Sequence, residues 1–156
     1  MDVDLGAVFD RYWPRVWRAA YATCGDRELA SDAAQDAFIR AAGALDRFDR
    51  RRPIEPWLVR IADNRAIDLV RARRRYGLED ELPELFVFDP PLADESLHGA
   101  LGRLAPERRA VIALHYWLDF TLPEIAQVLD LPVGTVNSRL ARALRDLRCD
   151  LEVPNV

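Results

Sequence analysis

Hydrophobic residues recur along this chain at three- and four-residue steps, with no convincing two-residue alternation of the kind a half-buried strand requires. Leu5, Val8, Phe9, Tyr12, Trp13, Val16, Trp17, Ala20 and Cys24 form the first such stripe, which predicts a helix with one buried side. Pro14 lacks an amide hydrogen and fixes its own φ, so a kink is expected there, or two successive helices with Pro14 opening the second. Gly25 and Asp26 then supply a stop and a fresh N-cap. The next helix turns Leu29, Ala33, Ala37 and Phe38 inward and Asp32, Gln35, Asp36 and Arg40 outward.

After Gly43 the stretch LDRFDRRRPIEP holds two prolines and four arginines, which is incompatible with a regular helix. It reads as a basic loop ending in Pro56, the predicted first residue of a long third helix. That helix places Trp57, Leu58, Ile61, Ala62, Ile67 and Leu69 inward and shows Arg60, Asn64, Asp68, Arg71 and Arg75 on its other side. Arg71, Arg73, Arg74 and Arg75 adjoin a loop that carries Arg47, Arg50, Arg51 and Arg52. The pattern alone allows a solvated face or a grip on phosphates.

Residues 77–97 contain three prolines and no basic residue, so they read as a linker. Within it the apolar run 85–88 allows a short docked strand, a contact with a partner, or a local cluster. Beyond the linker, Leu97, Leu101 and Leu104 form a short helix and Pro106 opens another. Thr121 with Glu124 three residues later is a capping box, so a short helix runs from there to about Leu129. Asp130, Leu131 and Pro132 connect it to a helix from Val133 to Leu147 that buries Val136, Leu140, Leu144 and Leu147. Two helices joined this tightly suggest a helix-turn-helix whose second member enters a DNA major groove. Thr135, Ser138, Arg139, Arg142 and Arg145 point outward, with Asn137 on the edge of that face. A helical hairpin used for protein contacts fits the same residues. The predicted fold class is all-α: a helical domain over 1–76, the linker 77–97, and a helix-turn-helix domain over 98–151.

Charge sharpens this picture. The 156 residues include 22 basic ones, every one arginine, against 26 acids, a formal charge of -4 that by itself gives no reason to expect DNA binding. The charge is segregated, however: 40–75 sums to +6, 76–100 to -7 and 133–148 to +3. No apolar run approaches the ~20 residues that cross a bilayer, and the acidic start MDVDLGAVFD is unlike a signal peptide. A cytoplasmic protein without membrane insertion is expected. Cys24 and Cys149 are isolated from each other, and His98 and His115 form no ligand set with them, so neither a structural metal nor a cofactor is expected. Without a triad, a metal geometry or a glycine-rich phosphate loop, the chain is not expected to be an enzyme or to take a small-molecule substrate.

From Phe9 to Leu151 the chain resembles the extracytoplasmic-function (ECF) sigma factors of bacterial RNA polymerase. GDRELASDAAQDAFIRA and WLVRIADNRAIDLVRARRR look like that family's region two, and LGRLAPERRAVIALHYW and TLPEIAQVLDLPVGTVNSRLARALRDLR like its region four. The resemblance implies a promoter-recognition subunit that binds core RNA polymerase at its clamp and flap, reads promoter DNA and melts the -10 element, with an anti-sigma factor as a further partner. Asp32, Gln35, Asp36 and Phe38 match the clamp-binding helix. The -10 contacts fall on Arg47, Arg50, Arg51, Arg52, Trp57, Asn64, Asp68, Arg71 and Arg74, the loop being the part that captures an unstacked base. The -35 contacts fall on Thr135, Asn137, Ser138, Arg139 and Arg142. The family commonly has a basic residue where Asp63 and Asn137 stand, and glycine where Asp130 occupies the turn. Two other classes remain open on the residues alone: a free-standing helix-turn-helix regulator, and a helical anti-sigma-like interaction protein.

Overall fold

In a computed structural model of the chain, the described residues are 4–76 and 95–152, and among them every regular element is helical. Most of the expected linker, with the 85–88 run, lies outside them. The order is α1 (Leu5–Cys24), α2 (Arg27–Ala44), a 3₁₀ turn (Leu45–Arg47), α3 (Ile54–Arg75), α4 (Glu95–Arg103), α5 (Pro106–Tyr116), α6 (Leu122–Leu129) and α7 (Val133–Glu152).

Local chemistry explains most of the boundaries. Asp4 caps α1 through the Gly6 amide, and Gly25 ends it at φ 69°, a left-handed conformation natural to glycine. Asp26 immediately caps α2 through the Leu29 amide at 3.0 Å. Burial opposes the charge on Asp26, but that amide and Arg73 Nη1 at 2.9 Å outweigh it and hold the carboxyl below its ordinary value. One expectation is narrowed and one corrected. Of the two outcomes open at Pro14, two successive helices do not form: α1 runs continuously through it, and the residue sits on the exposed side, where water can take the carbonyl it leaves unbonded. α3 begins at Ile54 rather than Pro56, with Pro53 as its N-cap. Pro56 still falls in the first turn, where a missing amide costs nothing.

The core of α1–α3 is built largely from alanine. Ala19 and Ala20 of α1, Ala30, Ala33, Ala34, Ala37 and Ala41 of α2, and Ala62 and Ala66 of α3 are buried. Side chains this small let helix axes approach closely, which is how three helices pack all against all. The second half relies on larger groups: Val111, Leu114, Ile125, Val128 and Val136 are fully buried.

The two halves also pack on each other, α1 against α5 and α3 against α6. Arg109 of α5, 2% exposed, crosses this boundary. Its Nε and Nη2 both donate to the Thr23 carbonyl, at 3.1 and 2.7 Å, and its Nη1 donates to the Gly102 carbonyl at 3.1 Å. Arg15 donates to the Leu118 carbonyl at 2.8 Å, and Arg60 pairs with Asp130 at 3.1 Å. Just inside the boundary Asp63 is fully buried; its Oδ1 accepts from the Thr23 hydroxyl at 3.2 Å while its Oδ2 has no hydrogen-bond partner. Burial pushes that carboxyl up to about 7 despite the Thr23 bond.

A candidate nucleic-acid and polymerase interface

Three surfaces carry the residues singled out by the sequence. On α2, Asp32 and Gln35 are exposed. Asp36 instead accepts from Arg65 Nε of α3 at 2.7 Å, and Phe38 packs into a half-buried aromatic cluster with Phe9 and Trp13, at ring distances of 5.0 and 5.9 Å. The α2 face thus offers a partner Asp32 and Gln35, with Phe38 forming its apolar border. Ile39, 69% exposed next to that border, is a large apolar residue presented to solvent. Sequence periodicity did not single it out, because one exposed isoleucine breaks no helical pattern.

The second surface is the loop between the 3₁₀ turn and α3. The Asp49 carboxylate accepts from the Arg51 amide and from Arg51 Nε, both at 3.1 Å, and the Arg52 amide bonds back to the Asp49 carbonyl at 3.0 Å. The Arg51 amide and then its side chain hold the Asp49 carboxyl below its ordinary value. This tight turn sends Arg50 and Arg52 to the rim of an open cleft of about 390 Å³, whose floor is Val8, Tyr12, Leu45, Phe48 and Ile54. Phe48 stacks on Trp57 at 4.5 Å, which braces the loop against α3. Arg47 is exposed on the approach. An apolar floor under a cationic rim suits a flat base whose phosphates remain in water. The contribution of α1 to that floor was hidden from sequence reading, since Val8 and Tyr12 lie more than thirty residues before the loop. On α3, Asn64, Asp68, Arg71 and Arg74 are exposed along one side.

The third surface is α7. Thr121 and Glu124 make the reciprocal capping box that starts α6, and Asp130 ends α6 in a left-handed turn at φ 54°. An aspartate tolerates that conformation better than most residues, so the tight turn forms without glycine. Val136, Leu140, Ala143 and Leu147 then pin α7 to the core. Thr135, Asn137, Ser138 and Arg142 stand exposed, and Arg139 is half-exposed. Short polar side chains on the first turns let a helix approach base edges, while arginines further along reach guanine or phosphate.

Two helices in a tight turn, with the second held polar face outward, define a helix-turn-helix protein. Comparison with known proteins carries this further. The family described as Sigma-70 region 2 matches residues 8–76, and Sigma-70 region 4 matches residues 94–147. The ECF RNA polymerase sigma factor SigW of Bacillus subtilis is 33% identical over 92% of this chain and 87% of its own. CnrH, solved in complex with the cytosolic domain of CnrY, is 32% identical with a TM-score of 0.72 over 97% of this chain and 89% of its own. The sigma factor RpoE, solved with the anti-sigma factor NepR from Bartonella quintana, shares the fold at a TM-score of 0.77 and 22% identity over 96% of this chain and 98% of its own. The chain belongs to the ECF RNA polymerase sigma factors. No described helix is long and apolar enough to cross a membrane, and no described cluster of His, Cys, Asp and Glu could hold a metal.

Proposed function

We propose that this sigma factor divides its work between a domain over 1–76, which holds the core polymerase clamp and opens the -10 element, and a domain over 98–151, which sits on the flap and reads the -35 element. Asp32 and Gln35, bordered by Phe38, meet a basic clamp partner, and Asp36 keeps α2 in register on α3 through Arg65. The cleft under Arg50 and Arg52 takes a flipped non-template base, with Trp57 holding the loop from behind. Arg47, Arg51, Asn64, Asp68, Arg71 and Arg74 follow the single strand. Thr135, Asn137, Ser138, Arg139 and Arg142 enter the -35 major groove.

The observation that carries this reading is the exposed polar face of α7 above a buried Val136, Leu140, Ala143 and Leu147 stripe. The halves are packed together, with Arg71 of α3 and Ser138 of α7 lining one cleft. Two promoter elements about two DNA turns apart, roughly 70 Å, therefore cannot be engaged until the halves separate. Core polymerase supplies that separation, and an anti-sigma factor opposes it. The protein works in the cytoplasm and catalyses no reaction of its own.

Run-off transcription with core polymerase on a promoter library tests the assignment. Arg139→Ala and Arg142→Ala are each expected to weaken -35 engagement by about 1 to 3 kcal/mol. Unchanged transcription by both variants would remove α7 as the reader. Tight specific binding of promoter duplex by the free protein would favour a free-standing regulator instead.

A further inference from the structure

The closed packing of the two halves creates a cleft of about 570 Å³ that belongs to neither half alone. One wall is Arg71 on α3; the other walls are Glu107 and Arg108 on α5 and Gly134, Ser138, Arg139 and Arg142 on α7. Arg71 pairs with Glu107 across the boundary, and Arg108 with Asp146. That leaves Arg139 and Arg142 as positive charge without a carboxylate on the described chain. Four arginines from three helices thus line a polar hollow with a single carboxylate in its lining, and Arg108 turns its guanidinium to Asp146 outside it. Its volume is that of a small-ligand site, and its chemistry excludes an apolar ligand. Guanidinium groups hold phosphate oxygens in paired, charge-assisted hydrogen bonds, and several of them at once favour a ligand whose phosphates are adjacent.

We propose that the closed protein binds a small polyphosphate in this cleft, a compact ligand with two or three linked phosphate groups. Arg139 and Arg142 hold one end, and Arg71, partly drawn from Glu107, holds the other. Such a ligand bridges α3 and α7, so it stabilises the closed form and occupies two of the arginines assigned to the -35 element. It acts as a competitor of promoter DNA. The site depends on the closure of the halves and does not require that α7 read the -35 element.

Calorimetric titration of the full-length protein with sodium tripolyphosphate, orthophosphate and a short promoter duplex tests this. Tripolyphosphate is expected to bind at one site, about tenfold or more tighter than orthophosphate, and Arg71→Ala to weaken it by about tenfold. Gly134→Leu supplies a test without a charge change: a Cβ built there meets no other element or side chain within 4 Å, so leucine fits without a clash, and because Gly134 lines the cleft the added side chain should abolish binding while the protein stays folded. Arg148→Ala, exposed on α7 but outside the cleft, is expected to leave the affinity unchanged. Equal losses for Arg148→Ala and Arg71→Ala, or full binding by Gly134→Leu, would reduce the effect to general charge and overturn the proposal. So would a duplex that binds with the Arg71 and Gly134 sensitivities while tripolyphosphate does not, since the cleft would then be a DNA-backbone site.

Discussion

The two halves of this sigma factor fill one continuous core with different proportions of small and large side chains. In α1–α3 most of the buried apolar positions are alanine, set beside Val16, Leu58, Val59 and Val70. In α4–α7 Val, Leu and Ile outnumber alanine, around a capped turn. Close approach leaves no room to add atoms, whereas a core of large side chains cannot lose them without a void.

The largest effect expected is Leu114→Ala, which removes a fully buried side chain from the second half's share of the core and should cost about 2 to 5 kcal/mol in chemical denaturation. Its counterpart is Ala33→Leu in the first half, expected to cost about 1 to 3 kcal/mol by overpacking between α2 and its neighbours. A stable Ala33→Leu would break the comparison, because it would mean that α1–α3 is loosely packed.

A second test uses the buried acid behind the boundary. The Asp63 carboxyl is held at about 7 in the fold against 3.8 in the open chain, so between about pH 4 and 7 the unfolded state has released a proton that the native state keeps. Stability therefore falls as pH rises through that window and levels off above it. Asp63→Asn should flatten this slope in urea titrations at pH 5, 6 and 7; an unchanged slope would show that Asp63 is not its source. Asp26, held below its ordinary value, acts in the opposite direction and only in acid, where its stabilisation is lost as pH falls below about 4. The smallest effect is Thr121→Ala, which removes the side-chain half of the α6 capping box and should cost about 1 kcal/mol, without the steep loss expected from core truncation. A loss as large as that for Leu114→Ala would mean that the turn, rather than the core, holds the second half together.

Where the determinants are local, they could be read along the chain. Gly25 and Asp26 stop one helix and start the next, Thr121 and Glu124 begin α6, and Asp130 turns the chain into α7; each acts within a few residues of itself. The outward faces of α3 and α7 followed from periodicity for the same reason. At Pro14 the spacing left a kink and a break both open, because a proline marks where a helix loses a hydrogen bond but not whether its neighbourhood is solvated enough for the helix to continue. Arg109 and Asp63 went unremarked as buried residues, since a charged residue on a helix is exposed until some other element covers it, and the covering elements α1 and α5 are some ninety residues apart in the chain. The amino-acid sequence by itself determined the helices, their caps and the polar faces, because these depend on neighbours three or four positions away. Only the tertiary structure decided which halves meet, which charges are buried, and that Arg71 faces α7 across a common cleft, because those depend on the docking of surfaces that no local spacing encodes.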